Sequence, residues 1–212
     1  MNRYNKISNI YKRESERPCN LIEGDYLKES YSYLKDLEWV ATEKIDGTNI
    51  GVVWNGYEIS YQGRTEKSQM QKNVVAVLDT MFSNDTIEII EEIFGESEVV
   101  FFGEAFGGNI QKPGRLYREE VSFILFDIYY VSSGNYLPRE SVEEIGARLD
   151  LEVVPIMMTG TLEEIVNFVK SGPTSLVAKE HLKIEGVVAT PIVPLRERDG
   201  KRIIVKIKCR DF

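Results

Sequence analysis

The chain has 212 residues, 42% apolar and 28% charged, the mix of an ordinary globular protein long enough to bury a real core. A net charge of −8 argues against a protein that coats nucleic acid through bulk positive charge, although the segment from Arg196 to Arg210 is locally basic. A single histidine, His181, excludes mechanisms that need a histidine pair, and the two cysteines, Cys19 and Cys209, match no zinc spacing.

Taken in chain order, residues 1–38 are polar with scattered tyrosines (Tyr4, Tyr11, Tyr26, Tyr31, Tyr33) and are expected as short helices and loops at the domain's edge. The run Glu43-Lys44-Ile45-Asp46-Gly47-Thr48-Asn49 follows, led in by Trp39, Val40 and Ala41 and left by Ile50, Val52 and Trp54. It reads as a strand, a tight turn at Gly47 and a second strand, a hairpin with Lys44 beside Asp46 at its mouth. Alone, such a lysine reads more simply as part of a surface turn than as a nucleophile in a nucleotide pocket; partners elsewhere in the chain must decide.

A short strand is expected from Tyr57 to Arg64. Residues 66–82 carry Val74, Val75, Leu78, Met81 and Phe82 at helical spacing, and a second helix runs over Asp85–Phe94 with Asp85 as its cap. Val99–Phe106 reads as a buried strand holding one carboxylate, Glu104. Ser122–Tyr130 is the strongest strand pattern, alternation placing Ile124, Phe126 and Ile128 on one face and Phe123, Leu125, Asp127 and Tyr129 on the other. Helices are expected over 139–150 and 161–171, where Thr161 and Glu164 form a capping-box pattern. Lys183–Thr190 is another strand with one carboxylate, Glu185. In the closing strand, Arg202–Cys209, Lys206 and Lys208 share one face while Val205, Ile207 and Cys209 share the other. Those lysines guard an exposed sheet edge or are aimed together at a ligand. Strands and helices interleave throughout, so one α+β domain with mostly antiparallel sheets flanked by helices is expected over 1–212, with no separate C-terminal domain.

Together, the stretches KIDGTN, GRT, FGEAFGG, FILFDI, KIEGVV and IVKIK appear in the order of the motifs of covalent nucleotidyltransferases, the superfamily of DNA ligases, RNA ligases and capping enzymes. WVATEKIDGTN, GEAFGGNIQKP and GPTSLVAKEH resemble the phage-type RNA ligase 2 family in particular. The likeness runs over residues 39–209 and implies a nucleotidyltransferase (ATP-grasp-like ligase) fold and ATP-dependent joining of RNA 3′-hydroxyl and 5′-phosphate ends. It implies that Lys44 becomes adenylylated, and that Glu43, Ile45 and Asn49 line the nucleotide site. Arg64 would contact the nucleotide and the RNA 5′-phosphate, Glu104 the ribose, and Phe126 the adenine by stacking. Glu185 would hold a metal, through water, or activate the lysine, and Lys206 and Lys208 would contact phosphates. ATP with Mg²⁺ or Mn²⁺ as cofactors follows, as do an RNA partner such as a nicked duplex, a monomer, no membrane, and the cytoplasm of a bacterium or phage-infected cell.

Chemistry supports that set. Attack on an α-phosphate needs a neutral amine, while free lysine has a pKa of about 10.4; neighbouring cations disfavour the ammonium form. Charge moving onto phosphate oxygens calls for positioned positive groups. Asn49 stands where DNA ligases and capping enzymes usually carry arginine, which speaks against both. A non-catalytic RNA-binding homologue is the rival from another class, and would be expected to have lost some of Lys44, Glu104, Glu185, Lys206 and Lys208. The relatives in this family carry a further C-terminal domain, so a minimal ligase and a catalytic fragment both fit the sequence.

Overall fold

A computed structural model describes residues 2–65, 70–179 and 181–212. In chain order the elements are β1 (Ser8–Asn9), β2 (Tyr11–Arg13), β3 (Leu21–Tyr26), α1 (Glu29–Leu34), β4 (Trp39–Lys44), β5 (Thr48–Trp54) and β6 (Ile59–Gly63). Then come α2 (Lys72–Met81), α3 (Asn84–Phe94), β7 (Val99–Gly107), α4 (Gly114–Tyr117), β8 (Val121–Tyr130) and β9 (Asn135–Tyr136). The chain closes with α5 (Arg139–Arg148), β10 (Ile156–Gly160), α6 (Leu162–Lys170), β11 (Gly186–Pro191) and β12 (Val205–Lys208). The expected α+β class, with antiparallel sheets flanked by helices, is what forms. Residues 66–69, the start of the first expected helical segment, lie outside the described residues.

Two compact units result, one of Met1–Asn5, Asp46–Val154 and Ala178–Glu180, the other of Lys6–Ile45, Pro155–Val177 and His181–Phe212. The first holds a sheet ordered β6-β5-β7-β8-β9. Ile50, Val52, Trp54, Phe101, Phe123, Leu125 and Ile128 on one of its faces pack against Val74 and Leu78 of α2, Ile90 and Phe94 of α3, and Val142 and Ile145 of α5. The second unit holds a sheet ordered β1-β12-β11-β4-β10 and the β2–β3 pair. Trp39, Ala41, Val187, Ala189, Val205 and Ile207 face Leu162, Ile165, Val166 and Val169 of α6. The capping box at Thr161 and Glu164 is present, each side chain bonded to the other's backbone N–H. No helix among the described residues is long and apolar enough to cross a membrane.

Four expectations are corrected. The N-terminal 38 residues are not only helices and loops: β2 and β3 pair antiparallel, and β1 pairs parallel with β12, because Ile10 and Tyr11 are buried in the second core. The strands flanking Gly47 are both real, but they form no hairpin. β4 pairs with β10 and β11, whereas β5 pairs with β6 and β7, so the turn hands the chain from one sheet to the other. A Cβ on Gly47 would lie 2.3 Å from the Ala105 carbonyl oxygen and 2.8 Å from Glu104 Cγ. Gly47→Ala is therefore expected to cost about 1–3 kcal/mol through forced backbone movement, read as a lowered Tm in thermal denaturation. Ser83, not Asp85, occupies the N-cap of α3; Asp85 lies inside the first turn, where its charge favours the helix dipole.

The last correction bears on the site. Phe102 is registered with Asp127 and Gly103 with Leu125, which leaves Phe126 as the extra residue of a bulge. Parity changes there. Ile128 joins Phe123 and Leu125 in the core instead of sharing a face with Ile124. Strict alternation could not anticipate a residue that the partner strand leaves unopposed.

Candidate functional site

Side-chain alternation on β4 puts Trp39, Ala41 and Glu43 toward the core of the second unit and Lys44 on the opposite face. On β12 the same rule buries Val205 and Ile207 and places Lys206 and Lys208 on the face that carries Lys44. β12 is flanked by β11 and, at Val205 and Lys206, by β1, so Lys206 does not guard an edge. Gly186 of β11 is registered with Lys44 on one side and Lys208 on the other. The row across the sheet is thus lysine, glycine, lysine. A Cβ at Gly186 would meet the Ile207 carbonyl oxygen at 2.1 Å, so the EGVV segment needs glycine there. Val188, two residues on, is registered with Lys206.

Glu185 closes this arrangement. Lys44 Nζ donates to its Oε2 and Lys208 Nζ to its Oε1, both at 2.5 Å. The three side chains are only 24%, 15% and 13% exposed for Lys44, Glu185 and Lys208. Burial pushes the Glu185 carboxyl up. The Lys44 charge and the hydrogen bonds from both lysines outweigh it, holding the group below the usual carboxylate range. A carboxylate so held is a poor proton acceptor, and its Oε2 anchors the Lys44 ammonium.

Glu43 behaves differently. It is 2% exposed, and its oxygens accept from Ser175 Oγ at 2.5 Å and the Leu176 N–H at 2.9 Å. Desolvation raises its pKa and those donors only partly offset the rise. Its carboxylate is thereby committed to holding residues 175–176, on the face of β4 away from Lys44. Because the folded pKa lies above the unfolded one, the folded state binds the proton more tightly, and this contribution to stability fades as pH rises through the raised value. Ser175→Ala is expected to cost about 1–3 kcal/mol by stripping a donor from a buried acceptor, with the loss growing toward higher pH in melts at a series of pH values. Ile45, next along, is buried.

In the first unit, Asn49 and Glu104 are registered opposite each other on β5 and β7, on the face away from the helices. Phe126, at the β8 bulge, contacts Tyr4 with ring centroids 4.9 Å apart, and the Tyr4 hydroxyl donates to Asp127 Oδ2 at 2.5 Å. Arg64 follows the last residue of β6 and is exposed. The structure thus gathers Lys44, Glu185, Lys206 and Lys208 on one sheet and Asn49, Glu104 and Phe126 on another. Ser175 and Tyr4 were not singled out as functional from sequence. A serine in a turn and one tyrosine among several carry no local signal of what they touch.

No group of three or more histidine, cysteine, aspartate or glutamate side chains among the described residues could cage a metal ion. Both Glu185 oxygens accept from lysines. With both oxygens so engaged, Glu185 would meet a hydrated divalent ion such as Mg²⁺ only through water.

The fold is similar to solved structures of RNA ligase from Naegleria gruberi. A mutant with AMP and Mn superposes with a TM-score of 0.65 at 21% identity, over 84% of this chain and 52% of that chain. The ligase with PPi gives 0.65 at 22% identity, over 84% and 51%. A mutant with ATP and Mn gives 0.66 at 18% identity, over all of this chain and 63% of that one. The chain therefore spans about half to three-fifths of the length of these proteins. The RNA ligase family model matches residues 37–208, and the chain belongs to the RNA ligase family.

Proposed function

We propose that this protein is an ATP-dependent RNA ligase that joins a 3′-hydroxyl to a 5′-phosphate through lysyl-AMP and RNA-adenylate intermediates, in RNA repair. One observation carries the reading: Lys44, Glu185 and Lys208 form an ion triad on one face of a sheet, with Lys206 on the same strand as Lys208. Two ammonium groups sharing one carboxylate leave net positive charge where a polyphosphate would dock. The Naegleria structures with ATP, AMP and PPi support it by analogy of fold.

In the first step the Lys44 ammonium gives up a proton to solvent and the neutral amine attacks the α-phosphorus. The P–N bond forms as the amine sheds a second proton to solvent, and the P–O bond to pyrophosphate breaks. Glu185 aims the amine, and Lys206 and Lys208 stabilise charge on the non-bridging and departing oxygens. In the second, an oxygen of the RNA 5′-phosphate attacks the same phosphorus and Lys44 leaves. In the third, a 3′-hydroxyl attacks the RNA 5′-phosphate and AMP departs. Asn49, Arg64 and Glu104 are proposed to contact the nucleotide, Phe126 to stack on the base, and the backbone of Glu43 and Ile45 to border it. A bound divalent ion would supply further charge neutralisation on the phosphates, with Glu185 reached through water.

Incubation with α-labelled ATP and Mg²⁺ or Mn²⁺ tests this. A covalently labelled chain is the expected result. RNA binding without any labelled chain would favour the non-catalytic reading, and labelling from GTP in preference to ATP a capping-type enzyme.

A further inference from the structure

The N-terminal segment takes no part in the reaction as written, yet it lies across the functional face of the first unit's sheet. Gln62 of β6 covers Gly51, where a Cβ would meet its Nε2 at 2.8 Å, and that Nε2 donates to the Asn2 carbonyl oxygen at 2.5 Å. Two residues further on, the Tyr4 ring sits edge-on to Phe102 at 5.1 Å, Phe126 at 4.9 Å and Tyr136 at 5.7 Å between centroids. Its hydroxyl reaches the Asp127 carboxylate. Asn49, Gly51, Phe102 and Glu104 occupy this same face, because Ile50, Val52, Phe101 and Ala105 fill the other.

The contact falls at the bulge. Phe126 has no residue opposite it on β7, so the ladder alone does not set its ring. Tyr4 touches Phe126 by its ring and Asp127 by its hydroxyl, spanning the bulged residue and its neighbour with one rigid side chain. We propose that Tyr4 is a positioning residue for the base-binding aromatic: it fixes the Phe126 ring so that a purine meets a preformed flat face. This inference rests on the reading of Phe126 as the base-stacking residue. Preorganisation of that kind acts on binding, because an unpinned ring must be ordered each time a nucleotide arrives.

The test is labelling of Lys44 from α-labelled ATP over a range of ATP concentrations, for wild type, Tyr4→Phe and Tyr4→Ala. Tyr4→Ala is expected to raise the ATP concentration for half-maximal labelling by about tenfold while the saturating rate falls far less, several edge-on ring contacts being lost together. Tyr4→Phe keeps the ring contacts and loses only the bond to Asp127, so a rise of about threefold is expected. Should Tyr4→Ala fail to fold, Tyr4→Phe decides: an ATP dependence identical to wild type overturns the inference. So does a fall in the saturating rate with unchanged half-saturation, which would make Tyr4 a merely structural residue. If wild type labels and the ATP dependence is unmoved, only this inference falls; if wild type never labels, the ligase reading falls and takes it along.

Discussion

Lys44→Ala is expected to leave no detectable covalent adduct with labelled ATP, a loss of at least about 10³-fold, since removing a nucleophile deletes the step itself and costs up to ~10⁶ in well-studied enzymes. Lys44→Arg is the sharper variant. The guanidinium keeps a cation beside Glu185, so the ion triad and the fold survive, but arginine does not become neutral in proteins and cannot attack phosphorus. Both variants should therefore be folded by circular dichroism and both unlabelled. A labelled Lys44→Arg chain would place the nucleophile elsewhere and overturn the assignment.

Glu185→Gln should have the next largest effect. The carboxylate accepts from two ammonium groups through different oxygens. Glutamine keeps one acceptor and turns an NH₂ donor toward the second lysine. Labelling is expected to fall at least about 100-fold, because the amine loses its aim while the cations repel one another. Stability should fall by about 1–3 kcal/mol, less than two charge-assisted bonds would suggest, since burying a neutral amide costs less than burying a carboxylate. The pH dependence gives a separate signature. Glu185 is held below the ordinary carboxylate range, so its contribution is present above that range and lost as pH falls through the depressed value. Wild type should show this acid-side loss in melts taken as pH falls below about 4.3, and Glu185→Gln should show less of it. An unchanged labelling rate in Glu185→Gln would mean that the triad is a stability device only.

Much of the fold was legible in the residues. Alternation alone placed Lys206 and Lys208 on one face of β12 and buried Val205 and Ile207, because period-two patterning is a local property. The capping box at Thr161 and the helices over Arg139–Arg148 and Leu162–Lys170 were equally local. The strands at Lys44 and Asn49 were legible as strands, but their partners were not. A tight turn with glycine announces a hairpin, and only the pairing of β5 with β6 and β7 shows that the second strand leaves for another sheet.

The sequence by itself determined which residue types bear the chemistry and their order along the chain: a lysine before a glycine turn, single carboxylates in apolar strands, paired lysines near the end. Tertiary structure decided which of them meet. Register across β11 brings Lys44 and Lys208 to the two sides of Gly186, and the bulge in β8 hands Phe126 and Asp127 to Tyr4. Both outcomes bring together residues more than 100 positions apart, Lys44 with Glu185 and Tyr4 with Asp127. No local pattern encodes them, because the free energy that selects a register comes from burying whole sheet faces together.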